Sequence, residues 1–79
     1  MPHFYTHVCT SGECARDPEG QQYPDLATAC RRAREEARSL VAGEIAGGSN
    51  EVDLVYWIDN ENGDLQVELP ITANTNGLI

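Results

Sequence analysis

Residues 24–45 read PDLATACRRAREEARSLVAGEI, and this stretch decides the fold. It is the one segment able to form a long helix, and it lies between two segments patterned as β-hairpins. Asp25 suits the N-cap, where a carboxylate accepts the free amides of the first turn. At about 100° per residue, Leu26, Ala29, Cys30, Ala33, Ala37, Leu40 and Val41 fall on one face. That face is apolar but made of small side chains, which lets a helix lie flat and close on a sheet. The intervals are not those of a coiled-coil heptad. Ile45 closes the pattern, and Gly47-Gly48-Ser49 ends it with a glycine free to adopt the left-handed C-cap conformation. Arg31 with Glu35, and Arg32 with Glu36, are spaced to pair on the solvent side.

Before the helix, residues 4–8 alternate. Phe4, Thr6 and Val8 point one way, and His3, Tyr5, His7 and Cys9 the other. Thr10-Ser11-Gly12-Glu13 supplies a turn, and residues 14–17 return as a short second strand. Asp17-Pro18-Glu19-Gly20 fits a type I turn. Tyr23, held extended by Pro24, is placed to fold back over the helix start. After the helix, Val52, Leu54, Tyr56 and Ile58 line one face of a strand, with Asp53, Val55 and Trp57 on the other. Asn60-Glu61-Asn62-Gly63 is a hairpin turn. Leu65, Val67, Leu69 and Ile71 then alternate against Gln66 and Glu68, and Pro70 ends the regular pairing or marks a sheet edge. The order is ββαββ: an α+β fold of two layers, one helix on a four-stranded antiparallel sheet. Residues 1–71 form the single domain, and residues 72–79 read as a frayed tail.

The totals bound the function. Seventy-nine residues make one small domain with a modest core, so stability calls for some further staple such as self-association. A composition 41% hydrophobic and 23% charged is that of a folded chain rather than a disordered one. Thirteen acids face five bases, all arginine, for a net charge of −8. This charge repels phosphate backbones and anionic membranes, so nucleic acid and membrane are not expected partners. No apolar run reaches the ~18 residues of a membrane span. The start lacks the pattern of a secretory signal, and the expected setting is cytoplasmic. Six acids and no base lie in residues 47–79, whereas the helix is balanced, so acid concentrates in the second hairpin.

Four stretches stand out together: Met1-Pro2-His3-Phe4-Tyr5, the turn Asp17-Pro18-Glu19-Gly20, the helix entry Tyr23-Pro24-Asp25-Leu26 followed by Ala29 and Ala33, and the last strand Gly63-Asp64-Leu65-Gln66-Val67-Glu68-Leu69-Pro70. In order and spacing the chain resembles a family of short, uncharacterised proteobacterial proteins known as a domain of unknown function. Members begin M-P-R-Y, carry a D-x-E-G turn and an L-P-D-L helix entry, and close with a hairpin ending in V-P. The resemblance spans residues 1–71. The chain departs from it in His3, where arginine is usual, and in Cys9, Cys14 and Cys30. It implies the one-domain layout and no activity, cofactor or catalytic residue.

Several groupings carry candidate chemistry. His3, His7, Cys9 and Cys14 share one end of the first hairpin, and two imidazoles with two thiolates can make a tetrahedral zinc site. Their spacing matches no standard zinc module, and incidental surface residues are the plainer reading. Cys9 and Cys14 can instead pair across the hairpin, although a cytosolic setting keeps thiols reduced. Cys30, on the buried helix face, reads as a small apolar filler. Arg31, Arg34 and Arg38 share a helix flank able to hold an anion or an acidic partner; the plainer reading is a solvated face. Asp59, Glu61 and Asp64 lack the full calcium-loop pattern and read as an acidic turn.

No nucleophile with its base, phosphate loop or carboxylate pair is assembled, so the chain reads as non-enzymatic, with no cofactor. The helix covers one face of the sheet only. Tyr5, His7, Val55 and Trp57 lie on the other, without the basic charge that base stacking in RNA binding would need. The expected function is a small interaction module, a homodimer or the binder of another, unknown protein, working through those residues. The alternative is a metal- or small-ligand-binding protein using His3, His7, Cys9 and Cys14.

Overall fold

A computed structural model of the chain describes residues 1–10 and 12–74. The elements run β1 (His3–Thr10), β2 (Glu13–Ala15), β3 (Gln21–Gln22), α1 (Leu26–Ala46), β4 (Glu51–Asp59) and β5 (Leu65–Asn74). All strand pairs are antiparallel, in the order β2-β1-β4-β5, with β3 pairing the other end of β1. The expected α+β layout of one helix on an antiparallel sheet is what forms. The sheet gains a fifth strand, β3, too short to leave a periodic signal.

The helix begins where its cap dictates. Asp25 is extended, at φ −159° and ψ 171°, and its Oδ1 accepts from the Thr28 N–H at 2.8 Å and the Thr28 hydroxyl at 2.7 Å. The Thr28 hydroxyl and then its amide hold the Asp25 carboxyl below its usual range. At the far end, Gly48 takes φ +106°. Its N–H donates to the Ile45 carbonyl at 3.1 Å, and the Ser49 N–H donates to the Glu44 carbonyl at 3.0 Å. This pair of bonds is a Schellman motif, which satisfies carbonyls the last turn would otherwise leave free.

Ala29, Cys30, Ala33 and Ala37 are buried, and Leu26, Val41 and Ile45 pack partly against the core. Leu40, expected on the same face, is 40% exposed instead. The helix lies chiefly over β4, so the narrow alanine row meets the sheet and Leu40 falls beside it. Among the described residues the exposed ion pair is Arg32 with Glu35 at 3.3 Å, one residue shorter in spacing than the pairs expected from the sequence; it contributes about 0.2–0.5 kcal/mol.

Phe4 from β1 and Val52, Leu54, Tyr56 and Ile58 from β4 complete the core. Tyr23 docks at its margin: its N–H donates to the Pro2 carbonyl at 3.1 Å, and its ring lies 6.4 Å from that of Phe4. Tyr56 is fully buried, and its hydroxyl has no hydrogen-bond partner among the described residues. Burial first, and the Glu36 charge second, push its pKa up from 10.0 to about 12.

Two turns depart from their sequence reading. Asn60 organises the β4–β5 connection through its side chain: Oδ1 accepts from both the Asn62 and Asp64 amides at 2.9 Å. The connection is therefore longer than an Asn-Gly two-residue turn, and a bulge shifts the register between Ile58 and Asp59. Ile58 pairs with Val67, but Asp59 pairs with Leu65. A one-residue slip changes the face of a side chain. Leu65, expected with Val67 and Leu69 on the helix side, lines the opposite face and is 56% exposed. At the other end β5 continues through Thr72, Ala73 and Asn74, so these residues belong to the sheet rather than to a tail; residues 75–79 of the expected tail lie outside the described residues.

At residues 17–20, Asp17 Oδ1 accepts from the Gly20 N–H at 2.9 Å, taking the place of the main-chain carbonyl of an ordinary β-turn. Gly20 sits at φ +68°, and an added Cβ would lie 2.7 Å from both the Phe4 carbonyl and His3 Nε2.

Gly20→Ala meets both a left-handed backbone and a backbone oxygen, so urea denaturation is expected to show a loss of at least about 1–2 kcal/mol; a loss below ~0.5 kcal/mol contradicts the placement. Tyr56 keeps its proton longer folded than unfolded, so its share of stability is complete below pH 10 and is lost as pH rises toward about 12. Urea midpoints of Tyr56→Phe should fall less than wild type between pH 9 and 11. Equal slopes would show that this hydroxyl is not buried.

Candidate functional site

Alternation puts Tyr5, His7 and Cys9 of β1 and Val55, Trp57 and Asp59 of β4 on the face away from the helix. The ladder then sets them in rows. His7 pairs with Trp57, and Trp57 with Glu68; Cys9 pairs with Val55, and Val55 with Pro70. On the other side of β1, Cys9 pairs with Cys14 and Val8 with Ala15; Arg16 follows just past the end of β2 and borders the same depression as His7. One row across the open face therefore reads Arg16, His7, Trp57, Glu68. The neighbouring row reads Cys14, Cys9, Val55, Pro70.

Over His7 and Trp57 on this face is a depression of about 320 Å³. Trp57 and Leu65 give it apolar walls, Arg16 stands at its rim, and His7, Asp59, Cys9 and Cys14 complete it. The imidazole of His7 is held at both nitrogens. Its Nδ1 accepts from the Asp17 N–H at 3.0 Å, so the ring proton is on Nε2, which donates to Asp59 Oδ2 at 3.1 Å. Asp17 meanwhile accepts the Thr6 N–H through Oδ2 at 3.2 Å. One chain of contacts thus runs from the main chain of β1 through Asp17 and His7 to β4.

The metal reading does not survive this geometry. Cys9 and Cys14 form a disulfide with their Cα atoms 4.0 Å apart, and a disulfide has no thiolate to give a metal. Register explains the bond: the two residues are direct cross-strand partners. His7 has no free nitrogen. His3 turns its Nε2 to the Glu19 carbonyl at 2.7 Å, and its ring packs 5.1 Å from that of Tyr5. Among the described residues no group of three or more His, Cys, Asp or Glu side chains is placed to hold a metal ion. Asp59, Glu61 and Asp64 belong to this statement too. Cys30 is a free thiol, buried in the core as expected.

Of the other expected site residues, Tyr5, His7, Val55 and Trp57 do share one face. Arg31, Arg34 and Arg38 lie on the opposite layer and are exposed. Arg34 and Arg38 border a groove of about 300 Å³ floored by Ala37, Val41, Ile71 and Ala73; Arg31 is not part of it. Leu65 and Arg16 are the open-face residues missed from the sequence. The first needed the bulge, and the second needed the register of a three-residue strand.

The disulfide gives a direct check. Alkylation of the purified, air-exposed protein in denaturant is expected to label one cysteine per chain, Cys30, and three after reduction. Three labelled without reduction contradicts the bond.

A search of curated proteins and a search of solved structures each return no match. No helix among the described residues is long and apolar enough to cross a membrane. Residues 3–72 match the family described as "Domain of unknown function (DUF6894)", which takes in every strand but the last two residues of β5, together with the helix and the open face, and the chain belongs to that family.

Proposed function

We propose that this protein is a small non-enzymatic module that acts by self-association, through the sheet face its helix leaves uncovered. The carrying observation is the apolar content of that face: a half-buried Trp57 at its centre, with Tyr5, Val55 and a mostly exposed Leu65 around it. Stacking two such faces removes this surface from water and adds a second apolar layer to a chain with a thin core. The candidate nucleophiles are spent, two thiols in a disulfide and one in the core, which supports the non-enzymatic reading. The acidic charge supports a protein partner over nucleic acid.

Backbone geometry favours the face over the sheet edge. Thr6 directs its N–H away from β4, to Asp17. Main-chain groups alternate along a strand, so His7 and Cys9 direct theirs to β4, and Val55 directs its own back to β1. Val55 and Pro70 therefore form a pair without mutual hydrogen bonds, and the Pro70 nitrogen faces outward. A proline there removes a donor from the long free edge of β5 and blunts it against edge-to-edge pairing.

A second reading keeps the same place: the depression reaches the lower end of the volumes that small-ligand sites occupy. It would take an anionic aromatic molecule, with its ring against Trp57 and its charge at Arg16.

Four strands about 4.8 Å apart present on the order of 500 Å² per copy, below the ~800 Å² of a standard interface. The dimer is thus expected to be weak, with a Kd in the micromolar range. Sedimentation equilibrium from 5 to 500 µM should show monomers and dimers, with Trp57→Ala shifted to monomer and unchanged in far-UV circular dichroism. A monomer mass throughout the range rules the proposal out.

A further inference from the structure

The geometry points to one arrangement of the two copies: face to face about a two-fold axis parallel to the strands, with Arg16 of each copy over Glu68 of the other. This rests on the self-association reading and goes on to its symmetry. The rows carry the argument. Arg16, His7, Trp57 and Glu68 cross the open face in that order, from β2 to β5. The base stands at one edge of the sheet and the acid at the other, with the aromatic groups between them.

Stacking two identical sheets face to face requires a two-fold axis lying in the plane between them. An axis along the strands reverses the strand order, so β2 lies over the partner's β5 and β1 over its β4. The charged row then meets its own reverse. Arg16 faces an acid at one edge, Glu68 faces a base at the other, and the imidazole of His7 lies over an indole at the centre. The adjacent row meets its reverse as well, which sets the disulfide over proline and Val55 over Cys9. An axis across the strands instead lays β2 on β2 and β5 on β5. Run along this row, it stacks Arg16 on its own copy and Glu68 on its own copy, and like charges brought together at an interface oppose it. Sheet twist turns aligned faces by about 30°, so the central rows stay in register while the corners diverge. Leu65, at a corner, is left free of this requirement.

The pairing makes the two ends of one row complementary to each other, and that property is testable by charge reversal at exposed positions outside the core. Arg16→Glu places acid over acid twice per dimer, and Glu68→Arg places base over base twice. Each single variant should weaken dimerisation by ~5-fold or more in sedimentation equilibrium at low salt. The double variant Arg16→Glu/Glu68→Arg, and an equimolar mixture of the two single variants, should both return to within ~2-fold of wild type. Single variants that dimerise like wild type overturn the axis along the strands. Single variants that weaken without recovery in the double also overturn it. A wild-type chain that stays monomeric is a different outcome: it removes the self-association reading itself.

Discussion

The close approach of α1 to β4, across Ala29, Ala33 and Ala37, is the contact on which the rest of the molecule depends. Their side chains are nearly fully buried, and they present a surface smooth enough for Tyr56 and Ile58 to fill the layer beneath them completely. A helix of larger residues would stand further off and cover more of the sheet, but less tightly. With alanines the contact is tight and narrow. Coverage falls away toward β5 on one side and β2 on the other, and none of it reaches the other face. The buried core is therefore a single layer, and the exposed apolar residues of the open face are the counterpart of that economy.

A second constraint holds the edge of β1. Three different devices satisfy its outward main-chain groups in turn. β2 pairs it at one end and β3 at the other, and the Asp17 carboxylate takes the Thr6 amide in the gap between them. The same carboxylate fixes the Gly20 turn, and the Asp17 amide orients His7 toward Asp59. The loop that closes the edge thus also sets a side chain at the centre of the open face. This coupling gives the Asp17-Pro18-Glu19-Gly20 turn a role beyond reversing the chain.

How much of this was legible in the sequence follows from where each property is encoded. The helix, its cap and its glycine stop are local, and residues 24–49 carry them fully. The alternation of β4 is also local, and it placed Val55 and Trp57 opposite Tyr56 and Ile58 correctly. Leu65 was misplaced because a bulge is a property of two strands and a turn together, and Asn60 displaced the expected Asn-Gly geometry. The disulfide was open in the sequence as a pairing across the first hairpin, and the register of β1 with β2, which makes Cys9 and Cys14 direct partners, decides for it. Leu40 has the period of the apolar face, but the helix contacts a surface narrower than that period allows. The metal constellation failed for a related reason: spacing grouped four ligand residues, two histidines and two cysteines, in the first hairpin, and pairing then consumed them in hydrogen bonds and a disulfide.

The open face is where these features meet, and its burial between two copies is the central claim. The most direct measurement is a dilution series of amide nitrogen–proton NMR spectra, from about 500 µM down to about 20 µM, read residue by residue. The account predicts that the concentration-dependent shifts fall on Tyr5, His7, Cys9, Val55, Trp57 and Glu68, and on the Trp57 indole, with the amides of α1 unmoved. Shifts confined to α1 and the helix-side flank of β5, or spectra that do not change with concentration, would contradict it.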